Sequence, residues 1–316
     1  MGFVLSLCFL GILCAGCKGS ATKANDGKQS KHAQLTDFPY PAVPETLTTM
    51  DERAAYVMEH YWDAFDFADT TLVHLPDVTE QGFVNFLDLL PQVDTAYAMN
   101  GLQNLCSHIF PIPDTRPQAC AKVMQDYFLQ KMEQYLHDPN SPMRDDALYV
   151  RFLSVLTNVL PESDIRKETF TYQLKYLQKN LPGAAAEDFT YIDRKGVRRT
   201  LYGTRADFTL LFFYDPDCDN CHAILEGLKQ ESLLLDSRVK VLTVYADVET
   251  DKWKSANPHI PSQWTDGYSP EGEIVVKQIY ALPAMPTLYL LDKRKHVLLR
   301  DPSPEKMLST LRTLLQ

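Results

Sequence analysis

Cys218 and Cys221, with two residues between them, are the side chains in this 316-residue sequence whose type and spacing best suit covalent chemistry. A thiolate attacks a disulfide, and a second thiol one turn further on can close an internal disulfide and release the mixed-disulfide partner. The run before them, 208–214, is apolar after Thr209, the pattern of a strand buried on both faces. Asp215-Pro216-Asp217 ends that run, because proline cannot donate to a ladder and restricts the residue before it. From Asp219 to Ser232, Cys221, Ile224, Leu225 and Leu228 recur with the spacing of a helix face. Cys218 is therefore expected at a helix N-terminus, where free amides and the helix dipole favour the thiolate. Strand, C-x-x-C and helix in series make a fairly specific dithiol signal, which the tetrapeptide alone does not. The same residues, Cys218 to His222, also spell the C-x-x-C-H pattern of covalent haem attachment.

Asp215, Asp217 and Asp219 surround a sulfur that must become negative to react, and like charge raises a thiol pKa. His222, when protonated, pulls the other way together with the helix terminus. If the carboxylates act on the pair they hold it as thiols and make it reducing. The alternative is that they cap the helix and face solvent, since Asp is a favoured N-cap.

The residues that would complete such a site lie downstream. Met285-Pro286-Thr287 leads into the apolar run 288–291, which places a proline at the mouth of a buried strand. With Asp188-Phe189-Thr190, the turn Asp193-Arg-Lys-Gly196, the cysteine pair, and a closing hairpin and helix, residues 182–316 resemble thioredoxin-like thiol-disulfide oxidoreductases of the membrane-anchored periplasmic type. That resemblance implies an α/β thioredoxin-like fold, with Cys218 as nucleophile and Cys221 as resolving thiol. It implies a cis Pro286, and Met285 and Pro286 presenting backbone to an extended protein substrate. It implies neither cofactor nor metal, but protein dithiol or disulfide substrates and a redox partner. Three departures from thioredoxin itself stand out. No tryptophan precedes Cys218, no proline separates the cysteines, and Phe212 occupies the place of a buried proton-handling aspartate, so Cys221 must exchange its proton through another group or water.

At this length two domains are expected. A net charge of −10 leaves no basic stripe for nucleic acid. Residues 1–17 read as an export signal, with an apolar core too short to span a bilayer comfortably. Cys14-Ala-Gly-Cys17 resembles a bacterial lipobox, which implies that Cys17 is lipidated and anchors the chain in the envelope of a Gram-negative bacterium, facing the periplasm or outer surface. Cys14 stands where leucine is usual and no Lys or Arg precedes the apolar run, so an ordinary cleaved signal is the alternative; either reading exports the chain. Residues 18–38, rich in Lys, Ser, Ala and Gly, read as a flexible tether, and 38–44 as an extended, proline-stiffened entry to ordered structure. In an oxidising compartment Cys106 and Cys120, flanking the loop 111–117, are either a structural disulfide or two separate buried thiols.

Between 39 and 181 the periodicity is helical, which predicts an all-α domain with helices near 49–67, 80–106 (broken at Pro91), 118–137, 144–160 and 162–181. His60, His108 and His137 are scattered through it without metal-ligand spacing. In 182–316 a hairpin (191–192 with 199–202), a buried strand at 239–246, a short helix at 251–256, a helix at 273–280, an antiparallel pair (288–291 with 297–299) and a last helix from Ser303-Pro304 are expected. Trp253 and Trp264 read as packing anchors within the insertion 247–272. The whole reading is a lipid-anchored thiol-disulfide oxidoreductase, a reductant of protein disulfides. The alternative, a non-catalytic scaffold binding a partner or glycan, would be favoured by burial of Cys218; an exposed sulfur beside Pro286 favours the enzyme.

Overall fold

The computed structural model describes residues 36–256 and 260–316, so the export signal, Cys17 and all but the end of the tether lie outside the described residues. The first ordered helix, α1 (Met50–His60), starts where a reciprocal cap forms: the Thr49 hydroxyl accepts the Glu52 amide while the Glu52 carboxylate accepts the Thr49 amide. It stops about two turns short of the expected end, and the chain continues to Phe67 in turns. α2 (Thr79–Leu89) and α3 (Thr95–Ile109) are separated by a 3-10 turn, Leu90–Gln92, at the proline expected to break them. α4 (Gln118–Leu136), α5 (Asp146–Val159) and α6 (Arg166–Leu177) complete the helical region. Among the described residues no helix is long and apolar enough to cross a membrane.

The core of this region is aromatic, with Trp62, Phe83, Phe86 and Phe128 fully buried. Phe38, delivered by the proline-rich entry segment, is buried against Tyr61, Trp62 and Phe65 at ring separations of 5.1, 5.2 and 6.0 Å. It can lie there because Gly82 on α2 has no side chain: a Cβ at that position would come within 2.0 Å of the Phe38 ring.

The α/β region follows as β1 (Thr190–Asp193), β2 (Arg198–Thr200), β3 (Phe208–Tyr214), α7 (Asp219–Lys229), β4 (Val239–Tyr245), α8 (Thr250–Ser255), β5 (Thr265–Tyr268), α9 (Glu273–Val276), β6 (Thr287–Leu291), β7 (Val297–Arg300) and α10 (Pro304–Leu314). The strands form one sheet in the order β2-β1-β5-β4-β3-β6-β7. β3 runs parallel to β4 and antiparallel to β6, near the middle of the sheet. Leu210, Phe212 and Tyr214 face α7 and α10, while Leu211 and Phe213 face the opposite layer with Phe189 and Tyr280. Burial on both faces is what the unbroken apolar run required.

Two elements differ from expectation. β5 falls inside the stretch expected to be an insertion, because its sequence Thr-Asp-Gly-Tyr lacks the β-branched alternation that marks strands. Gly267 is needed there, since a Cβ would sit 2.7 Å from the Tyr191 ring and 3.0 Å from the Ile192 carbonyl. α9 is a single turn rather than a helix to Tyr280, and the chain leaves it with Gln278 at φ 50°.

Residues Asp37–Gln316 form one compact unit, and ionic contacts tie its helical and α/β parts together. Arg144, just before α5, bonds Asp301 after β7 at 2.6 Å and Asp146 at 2.9 Å. Arg300 donates to the Leu177 carbonyl at 2.6 Å and is 2% exposed at its side chain. Burial pushes the Asp301 carboxyl pKa up, and Arg144 opposes that shift. Burial likewise acts to raise Asp146, but the bond from His137 and the charge of Arg144 hold its pKa below the ordinary value. Such a buried cluster is stabilising only while complete, because one unpaired member is left desolvated.

Gly82→Ala forces a methyl into the space of a ring packed on every side, and overpacking of this kind costs about 1–3 kcal/mol. Gly227 on α7 has nothing within 4 Å of its missing Cβ, so Gly227→Ala is expected to gain roughly 0.5–1 kcal/mol from helix propensity. Denaturant unfolding of the two variants checks both signs; equal effects would contradict the packing account.

Candidate active site

β3 ends at Tyr214 and the chain turns through Asp215-Pro216-Asp217 into α7, with Cys218 as the N-cap residue. Asp215 staples the turn: its carboxylate accepts the Asp217 amide at 2.8 Å, and its carbonyl accepts the Cys218 amide at 3.1 Å. Cys218 and Cys221 are joined as a disulfide, Cα to Cα 5.2 Å. The Cys221 amide points at the Cys218 sulfur from 3.1 Å, so in the reduced state it is a donor placed to stabilise a thiolate there. Cys221 is buried, whereas Cys218 is half-buried.

Met285–Pro286 is a cis peptide, and the Met285 carbonyl oxygen lies 3.5 Å from the Cys218 sulfur. Two segments 67 residues apart thus meet at the sulfur. A second cis peptide, Ile112–Pro113, lies in the helical region.

Of the three carboxylates that flank Cys218 in the sequence, two are paired with a lysine. Lys252 on α8 bonds Asp215 at 2.6 Å and Asp217 at 2.9 Å, which offsets part of their charge. Its own pKa is raised, first by the hydrogen bond to Asp215 and then by that to Asp217. Asp219 lies in the exposed first turn of α7, and its side chain has no polar partner among the described residues. Lys252 was missed because it comes from the insertion, about thirty residues beyond the cysteines, with no periodic relation to them. The His222 Nε2 donates to the Pro216 carbonyl at 2.6 Å, so this ring secures the turn.

What places Lys252 is a buried network. Asp266 on β5 accepts hydrogen bonds from Tyr214 at 3.0 Å and Thr243 at 2.8 Å, and pairs with Arg194 at 2.7 Å. The Arg194 guanidinium lies 3.7 Å from the centroid of the Trp253 ring and donates to the Trp253 carbonyl at 2.9 Å, which holds α8 against the sheet. Trp253 and Trp264 are both buried, as packing anchors should be. Phe212 is fully buried; in its row across the sheet come Thr243 and then Asp266, a carboxylate two strands away and engaged by Arg194.

Other sequence candidates resolve differently. Cys106 and Cys120 are free, so the disulfide entertained across the 111–117 loop is not formed. Cys106 points into the core, where burial pushes its thiol pKa up, while Cys120 is half-exposed in the first turn of α4. His60 and His108, scattered in sequence, both approach Asp63, at 2.7 and 3.6 Å. Among the described residues no group of three or more His, Cys, Asp or Glu could hold a metal ion.

Comparison with known proteins gives this geometry a family. Residues 16–180 match the family described as domain of unknown function (DUF5106), just over half of the chain. The chain belongs to that family. It is also 34% identical to a thioredoxin-like protein from Bacteroides caccae of known crystal structure, over 87% of this chain and 98% of that one, with a TM-score of 0.76. The DUF5106 chain is thus thioredoxin-like, with a helical region preceding the α/β sheet. The C-terminal domain of an uncharacterized protein from Bacteroides fragilis is 42% identical over 42% of this chain and 98% of that one, with a TM-score of 0.41. The thioredoxin domain of a thiol-disulfide oxidoreductase from Bacteroides vulgatus is 20% identical over 43% of this chain and 99% of that one, with a TM-score of 0.39. No curated protein matches the chain.

Lys252→Met leaves Asp215 and Asp217 unneutralised beside the N-cap. In a Cys221→Ser background, the pH midpoint for alkylation of Cys218 is expected to rise by roughly half a unit, as befits a solvent-exposed ion pair, and the rise should shrink with added salt. An unchanged midpoint would mean that these charges do not reach the sulfur.

Proposed function

We propose that this chain is a thiol-disulfide oxidoreductase that reduces protein disulfides, exported and held at the cell envelope by lipid on Cys17. The observation that carries the reading is the placement of the Cys218 sulfur at the N-cap of α7, with the Cys221 amide at 3.1 Å and the carbonyl of the cis Met285–Pro286 peptide at 3.5 Å. The amide and the helix terminus favour the thiolate. The carbonyl lies on backbone that an extended substrate segment could pair with, as a strand adds to an edge.

In the forward direction the Cys218 thiolate attacks one sulfur of a substrate disulfide. The Cys218–substrate bond forms, the substrate S–S bond breaks, and the leaving thiolate takes a proton from solvent. Cys221, deprotonated through water or another group, then attacks the Cys218 sulfur; the internal disulfide closes and the second substrate thiolate departs and is protonated. Two electrons pass from enzyme to substrate. A further protein dithiol must return them for the next cycle.

The reducing direction rests on charge. Asp215, Asp217 and Asp219 exceed the single Lys252 that pairs with two of them, and surplus negative charge disfavours the thiolate and hence the reduced form's extra stability. Dithiols stabilised as thiolates are the oxidants. Full burial of Cys218 would favour the scaffold and an exposed sulfur the enzyme; Cys218 is half-buried, so the reading rests on the amide and carbonyl at the sulfur.

Mass-spectrometric thiol trapping of the purified chain across glutathione ratios tests the reading. A reversible two-electron transition, lost in both Cys218→Ser and Cys221→Ser, is expected, with a midpoint nearer about −270 mV than about −120 mV. A pair that never exchanges would leave the scaffold.

A further inference from the structure

The backbone that faces Cys218 is held from two sides: Tyr289 on β6 donates its hydroxyl to the Ala281 carbonyl at 3.1 Å and Tyr280 packs into a sheet layer, while the helical region grips the same stretch at several points. Residues 277–286 join α9 to β6 and end in the cis Met285–Pro286 peptide. Just past the C-terminal end of α6, Lys179 donates to the Gln278 carbonyl at 2.5 Å and Asn180 to the Ile279 carbonyl at 2.8 Å. Tyr176, in the last turn of α6, accepts the Leu282 amide on its hydroxyl at 2.9 Å. Between these points the fully buried Ala281 packs into the core of the helical region rather than either sheet layer. Asn180 is itself fixed at both ends, because its side-chain oxygen accepts the Glu187 amide at 2.7 Å.

A second grip closes on the other side of the proline. Arg144 holds Asp301 at 2.6 Å, and Asp301 in turn bonds Leu288, donating its amide to the Leu288 carbonyl at 2.6 Å and accepting the Leu288 amide at 3.4 Å. The backbone from 278 to 288 is therefore bracketed by side chains of the helical region, directly at one end and through Asp301 at the other. Met285 lies between the brackets.

We propose that the helical region is the positioning element for substrate binding at Cys218: Tyr176 and Lys179 hold the 278–282 backbone so that Met285 and Pro286 present a pre-set edge to an extended protein substrate. The inference rests on the redox reading and gives the helical region a part in it. Backbone pairing needs an aligned edge, and an edge already ordered loses less freedom when the substrate docks. A small aromatic disulfide is attacked at sulfur without pairing with this edge, so it does not sense the positioning. Tyr176 and Lys179 are positioning residues and touch neither substrate nor sulfur.

The test uses the full chain with Tyr176→Phe, which removes the accepting oxygen and keeps the ring, and with Lys179→Met. KM and kcat are measured for insulin reduction, alongside the rate with 5,5′-dithiobis(2-nitrobenzoate) and the midpoint of the cysteine pair. Each variant is expected to raise KM for insulin roughly fivefold, the effect of losing about one hydrogen bond, with kcat, the small-disulfide rate and the midpoint unchanged. Amide exchange at Leu282 and along 284–288 should quicken in both variants. Equal losses on the large and small disulfides, or an unchanged KM, overturns the proposal. A wild-type chain inert towards both disulfides sinks the redox reading instead, and unaltered exchange along 284–288 in Tyr176→Phe then overturns the positioning by itself.

Discussion

The arrangement around Cys218 depends on one constraint, the burial of β3 on both faces. With Phe212 packed against α7 and α10 and Phe213 against the opposite layer, the strand can shift neither along its axis nor across the sheet without exposing one of its apolar layers. Its end at Tyr214 is thereby fixed, and so is the start of the turn. Asp215 then closes that turn with its carboxylate on the Asp217 amide and its carbonyl on the Cys218 amide. The cysteine is left at the first free amides of a helix, the one place on that element where a thiolate is favoured.

In the redox reading proposed above, chemistry at the sulfur is set by contributions that oppose one another. The Cys221 amide and the α7 terminus favour negative charge, while the aspartates disfavour it. Lys252 moderates the second group, and it is held in place by a chain running from Asp266 through Arg194 to Trp253. A buried carboxylate on β5 therefore helps to position α8, and with it Lys252, without touching the cysteines. Lys252 bonds the two aspartates at exposed or half-exposed positions, where ion pairs are weak and screened by salt.

The helical region and the sheet share their contacts where they matter for that site. Ala281 belongs to one core by packing and to the other by chain connection, and Arg144, Asp146, Arg300 and Asp301 form a buried charge cluster whose members come from both regions. Clusters of this kind resist piecemeal change, since removing one member leaves its partner desolvated. The match of residues 16–180 to a family of its own and the similarity of most of the chain to one thioredoxin-like protein fit a helical region that is tied into the α/β fold.

Local order was legible in the residues themselves. The apolar run 208–214, the Asp-Pro-Asp turn, the cysteine at the start of a helix, the Ser303-Pro304 cap and the proline before β6 each follow from rules acting over a few neighbouring residues. The cysteine pair was legible as a motif, and the cis state of Pro286 through the resemblance to thioredoxin-like proteins. What only the tertiary structure decided is long-range. β5 pairs through a Thr-Asp-Gly-Tyr segment without strand character, Lys252 reaches the aspartates from an insertion, Cys106 and Cys120 stay apart, and Tyr176 meets the Leu282 amide across 106 residues. Side-chain pairings between distant segments leave no period in the sequence, because they need only that two groups of suitable chemistry arrive together once the cores have packed.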